Sequence, residues 1–213
     1  MTKIRKDLRK YKYIFWDFDG VIKDSLEAKS DAFVFLFRKY GEEITEKIKF
    51  HHQENGGISR FEKIPIYLSW SGIPVTEKNI EIFSKDFSKL TIESVIASNW
   101  VPGIIDYLES SSNMQKFFLV TATPQKDIEE IVKRSGIGHF FKSIYGSPFT
   151  KYSAIKEEII KRGMKLSEVL VVGDSLIDLL AAKKNKVSFI LRNTSYNHDL
   201  QASFDGVRTE DFK

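Results

Sequence analysis

The feature of this sequence that most constrains its fold is a series of short apolar runs, rich in aromatic and β-branched residues. The runs are Tyr13–Trp16, Phe117–Val120, Val169–Val172 and Val187–Leu191, with a shorter candidate at Ser143–Tyr145. Between the later runs, apolar residues recur at helical spacing over the stretches Gln125–Ser135 and Tyr152–Arg162. Continuous apolar strands that alternate with helices predict a parallel sheet covered on both faces. We therefore expect a three-layer α/β core.

Residues 26–95 differ from the rest of the chain, because they carry helical patterns and no strand pattern. Apolar residues share a helical face within 32–37, again within 64–68 and again within 80–90. Turn-like breaks separate these groups, for example at Asn55-Gly56-Gly57. We expect a helical insertion after the first strand. Residues 1–25 and 96–213 then form the core, and residues 26–95 form a helical cap domain.

The composition of the 213-residue chain excludes several kinds of protein. It has no cysteine, which excludes disulfides, thiolate zinc sites and a cysteine nucleophile. No apolar run approaches the ~20 residues of a transmembrane helix, and the stretch Tyr13–Trp16 is too short for the apolar part of a signal peptide. We therefore expect a cytoplasmic protein with no membrane partner.

The charge of the chain is modestly positive, with 33 basic and 29 acidic residues and a net charge of +4. Much of the excess lies in the first twelve residues, which we interpret as a solvated leader before the first strand. Basic residues are not interleaved with exposed aromatic residues in any recognisable motif, so we expect no nucleic-acid partner. The oligomeric state stays open.

The residues that carry chemistry begin with Asp17-Phe18-Asp19-Gly20, where two carboxylates directly follow an apolar strand. In an open parallel sheet, ligands bind at the carboxyl ends of the strands. Three further segments reach the same predicted edge. The first places Thr121 after a strand, and the second places Lys151 at the start of a helix. The third contributes Asp174 and Asp178, within Gly173-Asp174-Ser175-Leu176-Ile177-Asp178. Taken singly, each of these residues also fits an ordinary turn, cap or surface role.

Taken together, Asp17-x-Asp19, Thr121, Lys151 and Gly173-Asp174-Ser175-x-x-Asp178 resemble, in order, the four motifs of the haloacid dehalogenase superfamily of phosphotransferases. The resemblance covers nearly the whole chain. It implies a Rossmann-like, three-layer parallel sheet core with a small all-helical cap inserted after the first strand. Within the superfamily, the pattern resembles those of phosphoglycolate phosphatases and β-phosphoglucomutases.

The resemblance also implies roles for single residues. Asp17 is expected to attack phosphorus and form an aspartyl phosphate, with Asp19 as general acid and base. Hard carboxylate oxygens favour Mg²⁺, which is the expected cofactor. Its implied ligands are the Asp17 carboxylate, the Asp19 backbone carbonyl and Asp174, with Asp178 supporting them. The groups expected to hold the phosphoryl oxygens are Thr121, the backbone amide of Ala122, Lys151 and the neighbouring Thr123.

The expected activity is hydrolysis of a small phosphorylated metabolite, such as a sugar phosphate or a phosphoglycolate-like acid. A phosphomutase is the alternative, because Gly57-Ile58-Ser59-Arg60 matches a cap segment of the mutase and Arg60 could bind a distal anion. The chain departs from the mutase at Lys29 and Gly56, where the mutase has histidine and lysine. A non-catalytic binding module on the same fold is a third possibility. Whether Lys29, His51 or His52 reaches the site is left open by the sequence.

Overall fold

A six-stranded parallel sheet forms the centre of the protein in a computed structural model, which describes residues 2–213. The strand order is β3-β2-β1-β4-β5-β6, and each neighbouring pair is parallel. The strands are β1 (Tyr13–Trp16), β2 (Lys116–Pro124), β3 (Phe141–Ser147), β4 (Val169–Gly173), β5 (Ser188–Arg192) and β6 (Arg208–Thr209). This sheet confirms the predicted parallel α/β core.

Helices connect the strands and cover the sheet. They are α1 (Lys3–Leu8), α2 (Leu26–Phe37), α3 (Glu42–Glu54), α4 (Arg60–Trp70), α5 (Glu77–Ala97), α6 (Ile104–Ser111), α7 (Gln125–Arg134), α8 (Lys151–Arg162), α9 (Leu176–Asn185) and α10 (His198–Ser203). Short 3₁₀ turns lie at Arg38–Tyr40, Gly138–Phe140 and Leu166–Glu168. Among the described residues, no helix has the length and apolar character needed to cross a membrane.

The alternation of side chains along the strands builds an apolar core on each face of the sheet. In β1, Ile14 and Trp16 pack into one cluster, with residues of α6 and α7. Tyr13 and Phe15 point to the opposite face and pack into a second cluster, with residues of α8 and α9. The sheet and the helices that cover each of its faces therefore form the three layers that the strand pattern predicts.

Helices α2 to α5 form the expected helical insertion between β1 and β2. Their inward faces share a third apolar cluster, which includes Phe33, Phe37, Tyr67 and Phe87. Helix α5 runs to Ala97, and its Val95 packs into the sheet-side cluster. The cap boundary at residue 95 therefore falls inside a helix, and the domain division stays a proposal.

The segments that form α1 and α3 differ from the sequence-based expectation. The predicted solvated leader is wrong, because α1 buries Ile4 and Leu8, which lie one helical turn apart. Arg5 Nε also donates to the Phe212 carbonyl at 2.7 Å, which joins the two ends of the chain. Helix α3 was not predicted, because it buries only Thr45 and Ile48 and so lacks a long apolar stripe.

Candidate active site

The carboxyl ends of three adjacent strands bring the predicted motif residues together. Strand β1 lies between β2 and β4, so Asp17 after β1, Thr121 in β2 and Asp174 after β4 are neighbours at one edge. Lys151 is the first residue of α8, directly after the turn that follows β3. All four side chains are buried and line one cavity. The topology therefore places the motif residues where ligands bind in open α/β sheets.

Lys151 lies between two carboxylates. Its Nζ is 2.9 Å from Asp17 Oδ2 and donates to Asp178 Oδ1 at 2.6 Å. Asp178 is also part of the capping box of α9, because its Oδ2 accepts from the backbone amide of Ser175 at 3.2 Å and from the Ser175 hydroxyl. Asp178 thereby fixes both the Lys151 ammonium and the start of the helix that follows Asp174.

The buried carboxylates outnumber the cations that face them. Carboxylate oxygens of Asp17, Asp174 and Asp178 lie within 4.8 Å of one another, and Lys151 is their shared ammonium. Burial and the neighbouring carboxylates raise the pKa of Asp174 well above its usual value. Burial is also the main cause that raises the pKa of Asp17 to about 7, although Lys151 opposes it. A hard divalent cation fits this oxygen donor set and would relieve the repulsion.

Two glycines are required by the close approach of these carboxylates. Gly20 has φ +76°, and a Cβ there would collide with the Asp174 carboxylate. A Cβ on Gly173 would collide with the side chain of Asp178. Any other residue at these two positions would push the acidic side chains away from the sheet edge.

Asp19 has a set of partners separate from the Asp17 cluster. Its Oδ1 accepts from the Ser25 hydroxyl at 2.6 Å, and its Oδ2 accepts from Thr123 Oγ1 at 3.0 Å and from Lys29 Nζ. Lys29 also donates to Thr123 Oγ1 at 2.7 Å. Burial favours a higher pKa for Asp19, but the Lys29 charge and these three donors outweigh it and lower the pKa. Asp19 is thus held as a carboxylate in the free protein.

Helices of the insertion form the other wall of the cavity, whose volume is about 570 Å³. Ser59 Oγ, at the N-terminus of α4, donates to Ser147 Oγ of β3 at 3.1 Å. Gly57 has φ +78° and lies so close to Ser175 that a Cβ would collide with the serine hydroxyl. The insertion therefore contacts the motif loops directly and encloses the space above Asp17.

Residues that the sequence left uncertain have distinct environments. Arg60 lines the cavity, but its Nη2 is 2.6 Å from Asp127 Oδ2 and its Nη1 donates to the Ser84 carbonyl and the Ser88 hydroxyl. His51 is hydrogen-bonded to the Tyr67 hydroxyl at 3.1 Å and lies outside the cavity lining, whereas His52 lines it. Ala122 lines it as well. Substrate binding by Arg60, Ala122 and Thr123 stays a prediction.

Sequence reasoning left Lys29 open and missed Lys63, which also lines the cavity. Lys63 lies on α4, whose buried residues include Ile64, Tyr67 and Leu68. A lysine within an apolar helical stripe is the signal that could have revealed it, because lysine is seldom fully buried without a partner.

Comparisons with known proteins identify the family and the fold of the chain. Residues 14–191 match the family model described as haloacid dehalogenase-like hydrolase. A phosphoglycolate phosphatase from Pseudomonas savastanoi pv. phaseolicola is 24% identical over 197 residues, which cover 88% of this chain and 71% of that protein.

Two solved structures have the same fold. A predicted phosphoglycolate phosphatase from Haemophilus somnus superimposes with a TM-score of 0.74 at 20% identity, covering 95% of both chains. The hydrolase YfnB from Bacillus subtilis, solved with bound magnesium, superimposes with a TM-score of 0.70 at 16% identity, again covering 95% of both chains.

Proposed function

The chain belongs to the haloacid dehalogenase-like hydrolases, and on that basis we propose that it is a magnesium-dependent phosphatase of small phosphorylated metabolites, such as phosphoglycolate or a sugar phosphate. One observation carries the proposal: a single cavity contains Asp17 beside Lys151 and Asp174, and Asp19 with its separate partners. Hydrolysis of a phosphate monoester needs a nucleophile, a general acid–base and positive charge that offsets the phosphoryl group, which Lys151 would supply together with a metal ion bound by Asp17 and Asp174.

In the first step, an Asp17 carboxylate oxygen attacks phosphorus and the bond from phosphorus to the leaving oxygen breaks. The product is an aspartyl phosphate, and the leaving alkoxide takes a proton from the Asp19 carboxyl. Entry of a phosphoryl dianion raises the pKa of the neighbouring Asp19, which favours the protonated form that this step needs. Lys151 and the Thr121 hydroxyl would hold the phosphoryl oxygens.

In the second step, a water molecule attacks the aspartyl phosphate, and Asp19 accepts its proton. The bond between phosphorus and the Asp17 oxygen breaks, which releases inorganic phosphate and regenerates the carboxylate. Lys29, Ser25 and Thr123 stabilise the ionised form of Asp19 that serves as the base. The depressed pKa of Asp19 in the free protein suits this second role.

The magnesium ion would be held by Asp17, Asp174 and the backbone carbonyl of Asp19, with Asp178 orienting the site through Ser175 and Lys151. When bound, it supplies positive charge that offsets the charge of the phosphoryl group and keeps Asp17 ionised. Asp178 is a poor direct ligand, because Lys151 and Ser175 already occupy both of its oxygens.

The test is a hydrolysis assay with Mg²⁺ over a panel that includes phosphoglycolate, sugar phosphates and p-nitrophenyl phosphate. We expect steady release of inorganic phosphate from at least one metabolite, and a loss of at least about 1000-fold in Asp17→Asn. Asp106→Asn, an exposed position on α6, is the matched control and should retain full activity. Isomerisation of a sugar phosphate without phosphate release, or full activity in Asp17→Asn, would refute the proposal.

A further inference from the structure

Lys63 is a buried ammonium that faces the cavity. The residue is 1% exposed, lies one turn after Arg60 on α4 and lines the same space as Asp17 and Asp19. Its Nζ donates to His52 Nδ1 at 2.9 Å and to the His52 carbonyl at 3.3 Å. Within residues 2–213, no carboxylate lies within ion-pair distance of this nitrogen.

The other cations of the cavity have anionic partners. Lys29 is paired with Asp19, Lys151 with Asp17 and Asp178, and Arg60 with Asp127. His52 offers Lys63 no negative charge; burial, together with the charge of Lys63, lowers its pKa well below the usual value, so the ring is neutral. Its Nδ1 therefore accepts the hydrogen bond and orients the lysine.

An unpaired buried ammonium is costly to the fold. Burial lowers the pKa of Lys63 to about 7, and repulsion by Lys29 acts in the same direction. An apolar side chain would fill this place on α4 without that cost, since a buried charge is stable only with a partner. The missing partner is therefore expected to come from outside the chain, through the cavity.

We propose that Lys63 is a specificity residue that binds a second anionic group of the substrate, a carboxylate or a second phosphoryl group, while the scissile phosphoryl group lies at Asp17. This inference rests on the proposed phosphatase function and narrows its substrate class to small phosphate monoesters with a second negative charge. Such a group would neutralise Lys63 and relieve its repulsion by Lys29. A neutral phosphate ester of the same size would leave Lys63 unpaired.

The experiment uses phosphate monoesters with two to five carbons in three matched series. One series ends in a carboxylate, the second in another phosphate and the third in a neutral hydroxymethyl group. The ratio of kcat/KM for an anionic compound to that for its neutral counterpart is measured in the wild type, Lys63→Met and Lys85→Met. Lys85 is exposed on α5 of the same insertion. Lys85→Met therefore removes the same charge as Lys63→Met and serves as the control.

We expect a wild-type ratio of about 10 to 100 at the chain length that spans the cavity, as for a hydrogen bond between charged groups. The ratio should approach 1 in Lys63→Met and stay unchanged in Lys85→Met. The series that shows the larger ratio identifies the carboxylate or the second phosphate as the preferred group. Lys63→Met should also melt at the same temperature as the wild type or higher, which a lysine with a purely structural role would not allow.

The proposal is overturned if no chain length shows a preference for the anion, or if Lys63→Met keeps the preference. It is also overturned if that variant loses stability and both kinds of substrate suffer equally. Should Lys63→Met not fold, Lys63→Gln removes the charge while keeping a hydrogen-bond donor. Calorimetry on Asp17→Asn, with and without Lys63→Met, compares the binding of anionic and neutral compounds in the absence of turnover. Failure to hydrolyse p-nitrophenyl phosphate or any metabolite refutes the phosphatase function itself.

Discussion

At the scale of single residues, buried charges in this protein depend on local donors, and Glu158 on α8 shows this away from the cavity. Its side chain has no exposure. Its Oε1 accepts from the Ser143 hydroxyl at 2.7 Å and the Tyr145 hydroxyl at 2.8 Å, and its Oε2 accepts from Arg162. Glu158 thus ties α8, the helix that begins with Lys151, to strand β3.

These contacts predict a pH-dependent contribution of Glu158 to stability. Burial favours a higher pKa, but the donors Ser143, Arg162 and Tyr145 outweigh it, so the folded-state pKa of Glu158 lies below its usual value. A group with a depressed folded-state pKa stabilises the fold above its unfolded-state pKa and loses that contribution as the pH falls through the folded-state value.

We expect Glu158→Gln to lower the free energy of unfolding by about 1–3 kcal/mol at pH 7, with a smaller difference below about pH 4. Urea unfolding at both pH values measures this difference, with Glu109→Gln at an exposed position of α6 as the control. A difference that grows on acidification would contradict the assignment.

Where one short motif follows a strand, the sequence predicted the position of single residues at the sheet edge. Asp17, Thr121 and Asp174 each depend on local chain geometry and on the order of the strands. The partners of Asp19 could not be predicted in the same way. Ser25, Lys29 and Thr123 meet around it only because α2 packs over the end of β2, and Lys63 faces the cavity only because α4 packs against α3. Such contacts depend on tertiary packing that no spacing in the sequence specifies.

At the scale of elements, a largely buried ion pair connects α4 of the insertion to α7 of the core. Arg60 and Asp127 have side chains that are 4% and 13% exposed, and their nitrogen and oxygen atoms are 2.6 Å apart. Ser88 of α5 donates to the same carboxylate at 2.8 Å. Three helices therefore share one hydrogen-bonded cluster.

This cluster predicts that Arg60 and Asp127 act as a unit. We expect Arg60→Met and Asp127→Asn each to raise KM, and the double variant to resemble the worse single variant, with a coupling energy of about 1–3 kcal/mol. The reason is that either change frees α4 from α7 and loosens the wall of the cavity. If Arg60 instead binds substrate directly, only Arg60→Met should raise KM. Kinetics of the four proteins in a double-mutant cycle decide between these outcomes.

The element-scale predictions succeeded where the apolar pattern was dense. Strand β1 begins and ends at the predicted residues, and α7 and α8 differ from their predicted bounds by one residue. Helix α1 was missed because its six residues carry only two apolar side chains, alongside three basic and one acidic side chain. Helix α5 extends past residue 95 because the end of its apolar face packs on the core rather than on the insertion.

At the scale of the whole molecule, the chain folds around a concentration of negative charge that its own cations only partly offset. The sheet order brings Asp17, Asp174 and Asp178 within 4.8 Å of one another, although the chain as a whole is net positive at +4. Burial first, and then this repulsion, raises the pKa values of Asp17 and Asp174. The carboxylates that the proposed chemistry needs therefore carry an electrostatic cost to the stability of the fold.

A divalent cation should relieve that repulsion and stabilise the folded chain. A ligand that binds only the folded state, at about one hundred times its Kd, adds about 2.7 kcal/mol, which corresponds to a rise in melting temperature of roughly 5–10 °C for a chain of this size. Thermal unfolding at pH 7.5 with Mg²⁺ or with a chelator measures the shift. Asp174→Asn should melt higher than the wild type in chelator, because one repelling charge is gone, yet gain much less from Mg²⁺. Equal shifts in both proteins would mean that the ion binds elsewhere. The absence of a shift in the wild type would contradict a metal site at these carboxylates.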